Sequence, residues 1–342
     1  MTDPIQLGNK NKATMTDVAT LAGVSQATVS FVLNGSPGAK LSEATRSRVR
    51  QAADELGYRL PRRKVRKAAE AQPVIVFMVD EVASDPWMAI AFDGAQKRAA
   101  ESGLSVFLTV TGDDVDSELA AIDGLDGKEI VGIIYGTILT RRVEVTEVMS
   151  KHRTVLLNCY DDKRSQHAVI PGELLAGRTA TQHLIDAGRK RVGFINGQQG
   201  IDASRDRLKG YRQALSSNDI PFAPELVKSG NWEPSSGYEL TKELLALPER
   251  PDAIFCANDP MAYGCFDALR EAGLKIPNDI SVVGFDDREL AKHMHPSLTT
   301  MLLPHFEMGE IATETLIEMA GGYNNKPSQI KVDCNLIPRK SV

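Results

Sequence analysis

The sequence lacks the long apolar segments that membrane insertion or export would require. It has no run of about 18 apolar residues, so no membrane-spanning helix is predicted. The first residues, MTDPIQLGNKNKATMTD, contain no apolar core typical of a signal peptide. We therefore expect a cytoplasmic protein without a membrane partner.

Signatures of metal and covalent chemistry are also missing. The four cysteines are scattered without a CxxC spacing, so we expect reduced and mostly buried thiols. No GxSxG, GxGxxG or HExxH is present. His293, His295 and His305 come nearest to a metal cluster, but the i, i+2 spacing of the first two fits no helical ligand face. We therefore predict that the protein is not an enzyme, and that it has no catalytic residue and binds no metal ion or cofactor.

Positive and negative charges are divided unevenly along the chain. Residues 1–70 contain 12 Lys/Arg and 6 Asp/Glu, whereas the remainder contains 28 and 39. A basic first segment before an acidic body is the asymmetry expected when one module contacts phosphate and the other does not. Solvated charge bias without a partner is the alternative.

A helix–turn–helix is predicted over residues 14–34, TMTDVATLAGVSQATVSFVLN. Gly23 ends the first helix, and Ser25 caps a second helix that begins with small polar residues. Such a second helix suits a DNA major groove, although an ordinary helical hairpin has the same pattern. Ser42 caps a third helix, SEATRSRVRQAADELG, and completes a small bundle.

The segment RLPRRKVRKAAEAQ, residues 59–72, has six Lys/Arg within nine positions and no large apolar face. It is interpreted either as a free tether or as a helix that forms only on DNA. From residue 73 onward, apolar strands alternate with amphipathic helices, beginning with VIVFMVD. So long an alternation predicts parallel sheets covered by helices, in two lobes divided by a hinge near residues 158–160.

Polar residues that follow the predicted strands are candidates for a pocket, since ligands bind at the carboxyl ends of parallel strands. Any one of them could instead cap the next helix. Carboxylates, an amide and a guanidinium around flat aromatic rings would suit a polyhydroxylated ligand. The candidates are Asp80, Asp85, Trp87, Arg205, Arg207, Trp232, Asn258, Asp259, Asp286 and Asp287.

The ordered motifs resemble the lactose-repressor/galactose-repressor (LacI/GalR) family of bacterial transcription regulators. The resemblance rests on TDVATLAGVSQATVSFVLNG and SEATRSRVRQAADELGY, then on HLIDAGRKRVGFING, SRDRLKGY, CANDPMAYG, DISVVGFDD and PSLTTM in the body. It implies an all-α helix–turn–helix head and an α/β body of two doubly wound parallel-sheet lobes, similar to periplasmic sugar-binding proteins. The boundaries expected are 1–60 for the head, 61–73 for the linker and 74–342 for the body. Within the body, lobe 1 is expected at 74–158 and 303–328, and lobe 2 at 159–302 and 329–342.

By position, the resemblance implies that three residues of the second helix face base edges, while others face phosphates. Phosphate contacts position a head and base contacts specify the sequence. The linker arginines would enter a narrow minor groove. The base-edge set is Gln26, Ala27 and Phe31; the phosphate set is Met15, Thr28, Ser30, Asn34 and Tyr58; the linker set is Arg62, Arg63 and Arg66.

The sequence departs from the family pattern at three places. Phe31 stands where several relatives have an arginine, so an apolar contact or a widened base preference is expected. Lys67 or Ala68 stands where relatives have a minor-groove leucine, and neither side chain can wedge between bases as leucine does. Gly172 and Glu173 replace an Asp–Asn pair, so that loop is expected not to contact the effector in the usual way.

The resemblance also implies an effector site and a homodimer on operator DNA. Effector contacts are expected from Asp85, Trp87, Arg207, Trp232, Asn258 and Asp286. The effector is expected to be a sugar or sugar derivative, with a nucleoside or polyol as alternatives. No leucine heptads follow IPRKSV, so a dimer is expected rather than a coiled-coil tetramer. Repression is the expected action; activation, or a sugar-binding receptor without repression, are the alternatives.

Overall fold

The computed structural model describes residues 15–33, 42–58, 72–323 and 326–342. The chain divides into two units, Met1–Glu70 and Ala71–Val342, which are treated separately below. Residues 61–71 of the predicted linker, including Lys67 and Ala68, lie outside the described residues. Within the described ranges, no helix combines the length and the apolarity needed to cross a bilayer.

The first unit contains the predicted helix–turn–helix and third helix. Helix α1 is Met15–Ala22, α2 is Gln26–Leu33 and α3 is Glu43–Glu55. Gly23 has a φ of 63°, a left-handed conformation that glycine adopts without strain, and α1 ends there. The hydroxyl oxygens of Ser25 and Ser42 each accept a helix N-terminal N–H at 3.2 Å. The buried core of this unit is Val18, Ala19, Ala22, Val29, Val32, Val49, Ala52 and Ala53.

The second unit alternates strands and helices, as the sequence predicts. In chain order it contains β1 Val74–Val79, α4 Trp87–Glu101, β2 Ser105–Val110, α5 Val115–Asp123, β3 Ile130–Arg142, α6 Glu147–Lys151, β4 Thr154–Tyr160, β5 His167–Pro171, α7 Glu173–Asp186, β6 Val192–Asn196, α8 Asp202–Ser217, β7 Val227–Ser229, α9 Pro234–Leu245, β8 Ala253–Cys256, α10 Asp259–Glu271, β9 Ser281–Val283, α11 Glu289–His293, β10 Thr300–Met301, α12 His305–Ala320, β11 Gln329–Val332 and β12 Leu336–Ile337.

The strands form two separate parallel sheets, which confirms the predicted two-lobed α/β body. The first sheet has the order β11-β5-β4-β3-β1-β2, and the second has the order β7-β6-β8-β9. β10 and β12 form a small antiparallel pair. Helices α4 and α12 pack together in the first lobe, while α7 packs on α8 and α9 on α10 in the second.

The chain crosses between lobes later than the expected boundaries at 158/159 and 328/329. β5 pairs with β4 through Val155 and His167, and β11 pairs with β5. The carboxylate of Asp161 accepts the backbone N–H of Ser165 at 2.8 Å and closes a turn that returns the chain to the same sheet. By sheet membership, lobe 1 therefore continues to Pro171 and includes residues up to Val332.

The helix pairs of the body cross at glycines. A Cβ built on Gly309 would overlap the carbonyl oxygen of Ala91, and one on Gly94 would overlap that of Phe306. These positions bring the backbones of α4 and α12 into direct contact, which a larger residue would separate. The N-terminal ends of α4 and α12 therefore lie side by side, where Trp87 and His305 stack on each other.

Candidate functional site

A cleft of about 230 Å³ lies between the two lobes, at the carboxyl ends of their strands. Such strand ends are the usual ligand position in parallel α/β folds. The structure brings all six residues expected to bind an effector to the walls of this one cleft: Asp85, Trp87, Arg207, Trp232, Asn258 and Asp286.

Arg207 lies on α8 in a buried ion pair with the first residue of α7. Its Nε donates to Glu173 Oε2 at 2.6 Å and its Nη2 to Oε1 at 2.9 Å, while Nη1 donates to the carbonyl of Ala257. Burial disfavours the charge of Arg207, but attraction to Glu173 and Asp286 outweighs it and raises its pKa. Glu173 thus lines the cleft and neutralises the arginine that the sequence assigned to the effector.

Aromatic rings cover Arg207 on the second lobe. The guanidinium carbon lies 3.5 Å from the centroid of Phe285 and 5.6 Å from that of Trp232. Trp232 has a φ of 73°, and its carbonyl accepts a hydrogen bond from Asn258 Nδ2 at 2.8 Å. Asn258 therefore fixes the backbone that presents this indole to the cleft.

Asn258 also caps α10, because its Oδ1 accepts the backbone N–H of Met261 at 2.9 Å. The amide oxygen and one amide hydrogen are thus used within the protein. One Nδ2 hydrogen remains for a ligand. Asn258 can therefore cap α10 and still donate a hydrogen bond to a ligand.

Asp286 follows β9 and is 5% exposed. Burial raises its pKa well above the usual range, and Asp259 and Asp85 raise it further against the opposing effect of Arg207 and Arg288. Its only described side-chain hydrogen bond is a long one, from Arg288 Nε at 3.4 Å. A buried carboxyl group with so weak a partner would be stabilised by a hydrogen bond to a ligand hydroxyl, which can both donate and accept.

Arg288, which the sequence interpretation missed, bridges the lobes. Its Nη2 donates to Asp85, and its guanidinium carbon lies 5.2 Å from the ring of Trp87. Its backbone N–H donates to the buried carboxylate of Asp259 at 2.8 Å, which anchors the arginine in lobe 2. The only sequence signal was its position two residues beyond Asp286, in the loop after a predicted strand.

His305, the first residue of α12, was also missed as a cleft residue. It stacks on Trp87 with the ring centroids 5.2 Å apart and an interplanar angle of 18°. It is 1% exposed, and burial, aided by the charge of Arg207, lowers its pKa to about 3. Its ring is therefore neutral near pH 7.

The remaining candidates serve other contacts. The carboxylate of Asp80 accepts the backbone N–H groups of Glu81 and Ile138, and Asp287 pairs with Arg339. Arg205 pairs with Asp202 and Asp206 and lines a neighbouring polar cavity of about 340 Å³. These residues stabilise the walls rather than line the first cleft.

The histidines considered as a metal cluster are dispersed. His293 contacts Glu289 at 3.2 Å on α11, whereas His305 lies buried at the cleft. Over the described ranges, no group of three or more potential ligands is arranged to hold a metal ion.

The candidate DNA contacts belong to the first unit. Thr28 shares a hydroxyl hydrogen bond with Ser25 at 2.9 Å, and Tyr58 packs against the core of the unit. Met15 is placed on α1, and Gln26, Ala27, Ser30 and Phe31 on α2; only their backbone positions are described. Asn34, Arg62, Arg63 and Arg66 lie outside the described residues.

Comparison with known proteins places the chain in a family. Residues 14–60 match the bacterial regulatory proteins of the lacI family, and residues 181–342 match the periplasmic binding protein-like domain. The HTH-type transcriptional repressor CytR of Escherichia coli K12 is 33% identical over 332 residues, 96% of each chain. The ribose operon repressor of the same strain is 34% identical over 308 residues, 89% of this chain and 92% of the relative.

Two solved structures of transcriptional regulators match nearly the whole chain. The lac repressor dimer bound to operator and the anti-inducer ONPF has a TM-score of 0.66 at 27% identity and covers 97% of this chain and 99% of its own. The complex of the transcriptional regulator CelR with cellobiose has a TM-score of 0.66 at 28% identity, with 96% and 100% covered. This chain is a DNA-binding transcriptional regulator that belongs to the lacI family of bacterial regulatory proteins.

Proposed function

We propose that this regulator represses transcription from a specific operator and that a small polyhydroxylated molecule in the interlobe cleft controls its operator affinity. The observation that carries the proposal is the convergence of all six expected effector residues, from both lobes, on one cleft. A ligand touching both lobes binds one interlobe arrangement better than another and so shifts the population.

The effector we propose is a sugar or sugar derivative, with a polyol or nucleoside as alternatives. Trp87 and Trp232 offer flat faces for a ring, while Asp286 and Asn258 offer a carboxylate and an N–H for hydroxyl groups. The cleft, at about 230 Å³, is smaller than the roughly 300–1,000 Å³ typical of drug-sized ligands. This size favours a single ring. Among the relatives, one is named for the ribose operon and one structure contains cellobiose.

On DNA we propose a homodimer whose two heads occupy the half-sites of a near-palindromic operator. In each head Gln26, Ala27 and Phe31 would contact base edges. Phosphates would be contacted by Met15, Thr28, Ser30, Asn34 and Tyr58, and the minor groove by Arg62, Arg63 and Arg66. The net positive charge of residues 1–70 supports this placement.

The test begins with selection of an operator from random DNA, followed by a thermal-shift screen of sugars, polyols and nucleosides. Operator affinity is then measured by fluorescence anisotropy with and without each hit. We expect at least one hit to change operator affinity several-fold. Operator DNA should change the affinity for that hit by the same factor, because linkage is reciprocal. A stabilising ligand that leaves operator affinity unchanged would contradict control through this cleft.

A further inference from the structure

Buried polar atoms without a protein partner are concentrated at the cleft. Across the described part of the chain, five buried side-chain nitrogen or oxygen atoms lack a hydrogen bond. Three of them belong to cleft residues: Nε1 of Trp232 and both ring nitrogens of His305. Because buried polar groups in native proteins are almost always satisfied, this concentration indicates hydrogen-bonding partners on a ligand.

The three nitrogens define what such a ligand must present. Trp232 Nε1 can only donate, so it requires an acceptor. His305 is neutral, so one ring nitrogen donates and the other accepts. Its stacking on Trp87 fixes the plane in which both nitrogens meet a partner. A hydroxyl group, which both donates and accepts, complements this set.

The charges around the cleft disfavour an anion. Apart from Asp286, whose pKa is raised by burial, its lining includes four carboxylates, from Glu81, Asp85, Glu173 and Glu233, but only two guanidinium groups. Both guanidinium groups already have carboxylate partners: Arg207 is bonded to Glu173, and Arg288 is bonded to Asp85 and Asp286. A phosphate or carboxylate on the ligand would therefore be repelled by the excess negative charge, and neither guanidinium group would be free to pair with it.

We infer that the cleft selects an uncharged polyhydroxylated ring, that it discriminates against phosphorylated and carboxylated forms of the same molecule, and that His305 is a specificity-determining residue through hydrogen bonds to a ligand hydroxyl. This inference rests on the proposed function, since it presumes that the cleft binds a small molecule. It adds the charge class of that molecule and a contact residue that the sequence analysis did not assign.

Matched ligand pairs test the charge class. Calorimetric titration would compare ribose with ribose 5-phosphate, glucose with glucose 6-phosphate, and adenosine with its 5′-monophosphate. For any pair that binds, we expect the uncharged member to bind at least tenfold more tightly. A phosphorylated member that binds as well or better would overturn the inference and leave the proposed function standing. If no uncharged polyhydroxylated compound in the full screen binds, both the inference and the proposed function fail.

Two substitutions at one position test the role of His305. His305→Phe keeps an aromatic ring against Trp87 but removes both nitrogens, whereas His305→Gln keeps a donor and an acceptor. With the best uncharged ligand, we expect His305→Phe to weaken binding about tenfold or more and His305→Gln to restore part of the loss. Thermal melting of each variant establishes that it is folded.

Deoxy analogues distinguish a hydrogen bond from a structural effect. The unmodified protein should lose affinity for the analogue that lacks the hydroxyl facing His305, whereas His305→Phe should bind the ligand and that analogue equally. A uniform loss across all deoxy analogues in His305→Phe would assign His305 a packing role and overturn its role in specificity. Unchanged ligand affinity in a folded His305→Phe would do the same.

Discussion

Arg207 and Glu173 face each other in parallel, two N–H groups against two carboxylate oxygens, at 2.6 and 2.9 Å. Both side chains are 4% exposed. Glu173 begins α7 directly beyond the point where the chain leaves the first sheet, and Arg207 lies one turn into α8. The pair thus joins the packed helices of the second lobe at the floor of the cleft.

Breaking this pair from one side should be costly. Glu173→Met leaves the buried charge of Arg207 without its counter-charge, so we expect the free energy of unfolding to fall by about 3–5 kcal/mol. The double variant Glu173→Met/Arg207→Met should cost less than the sum of the two single variants, because no charge is left unpaired. Urea unfolding of all four proteins measures the cycle. Strict additivity would show that the two side chains do not stabilise each other.

The sequence predicted the fold better than the contacts within the site. Strand–helix alternation and strand ends are local signals, so the two sheets and the positions of Asp85, Asn258 and Asp286 could be inferred from them. The pairing of Glu173 with Arg207 spans 34 positions and depends on how α7 packs on α8, which no local pattern specifies. By resemblance Glu173 is a departure from the family pattern, and in the structure it is the ion-pair partner of Arg207, the arginine proposed to contact the effector.

Other differences have equally specific causes. Proximity in sequence groups His305 with His293 and His295, but His305 begins a different helix, α12, and is buried. An even division of the strands places the lobe boundary near residues 158–160, whereas the short strand β5 extends the first sheet beyond it. A strand of only five residues, HAVIP, cannot be distinguished from a connecting segment without knowledge of its pairing partner.

The glycine crossings predict a sharp dependence of stability on side-chain size. Gly309→Ala would place a methyl group against the carbonyl oxygen of Ala91, so α4 and α12 must separate. We expect a loss of about 1–3 kcal/mol or more, by thermal or urea unfolding. Gly124→Ala is the matched control, because its nearest neighbour is an oxygen of its own helix at 3.2 Å. Equal losses in the two variants would argue against close helix packing as the cause.

His305 should make the protein sensitive to acid. Its pKa is about 3 in the folded protein and about 6.5 when unfolded, so the unfolded state binds more protons between these values. The neutral ring contributes fully above pH 6.5, and its contribution is lost as pH falls. Relative to His305→Phe, the unmodified protein should lose up to about 1.4 kcal/mol of stability per pH unit below pH 6. Urea unfolding of both proteins from pH 7.5 to 5 measures this difference, and parallel curves would contradict it.

The Arg288–Asp85 pair should couple the two lobes weakly and in a salt-dependent manner. The side chains are 26% and 28% exposed, so solvent screens their attraction. A double-mutant cycle of Arg288→Met and Asp85→Asn should give a coupling of about 1 kcal/mol or less, which shrinks in 1 M salt. We expect this coupling to appear in the effector affinities of the four proteins, measured by calorimetry, because a ligand in the cleft contacts the same two lobes. The control is the ion pair Arg270–Asp267, which lies within one helix. Breaking that pair should leave effector affinity unchanged.

Substitutions at two adjacent residues of the head, Ser25 and Gln26, should distinguish the recognition of bases from the stability of α2. Ser25 caps α2 by accepting the N–H of Thr28, so Ser25→Ala should lower the stability of the head by about 1 kcal/mol. It should weaken binding to operator DNA and to random DNA by the same factor. Gln26, proposed to contact a base, should act differently: Gln26→Ala should weaken operator binding by about 1–3 kcal/mol and leave random DNA nearly unchanged. Anisotropy titrations of both variants on both DNAs at one salt concentration give the two ratios. If Gln26→Ala instead weakens binding to both DNAs equally, α2 does not read bases through this residue, and the assignment of Ala27 and Phe31, which rests on the same family resemblance, fails with it.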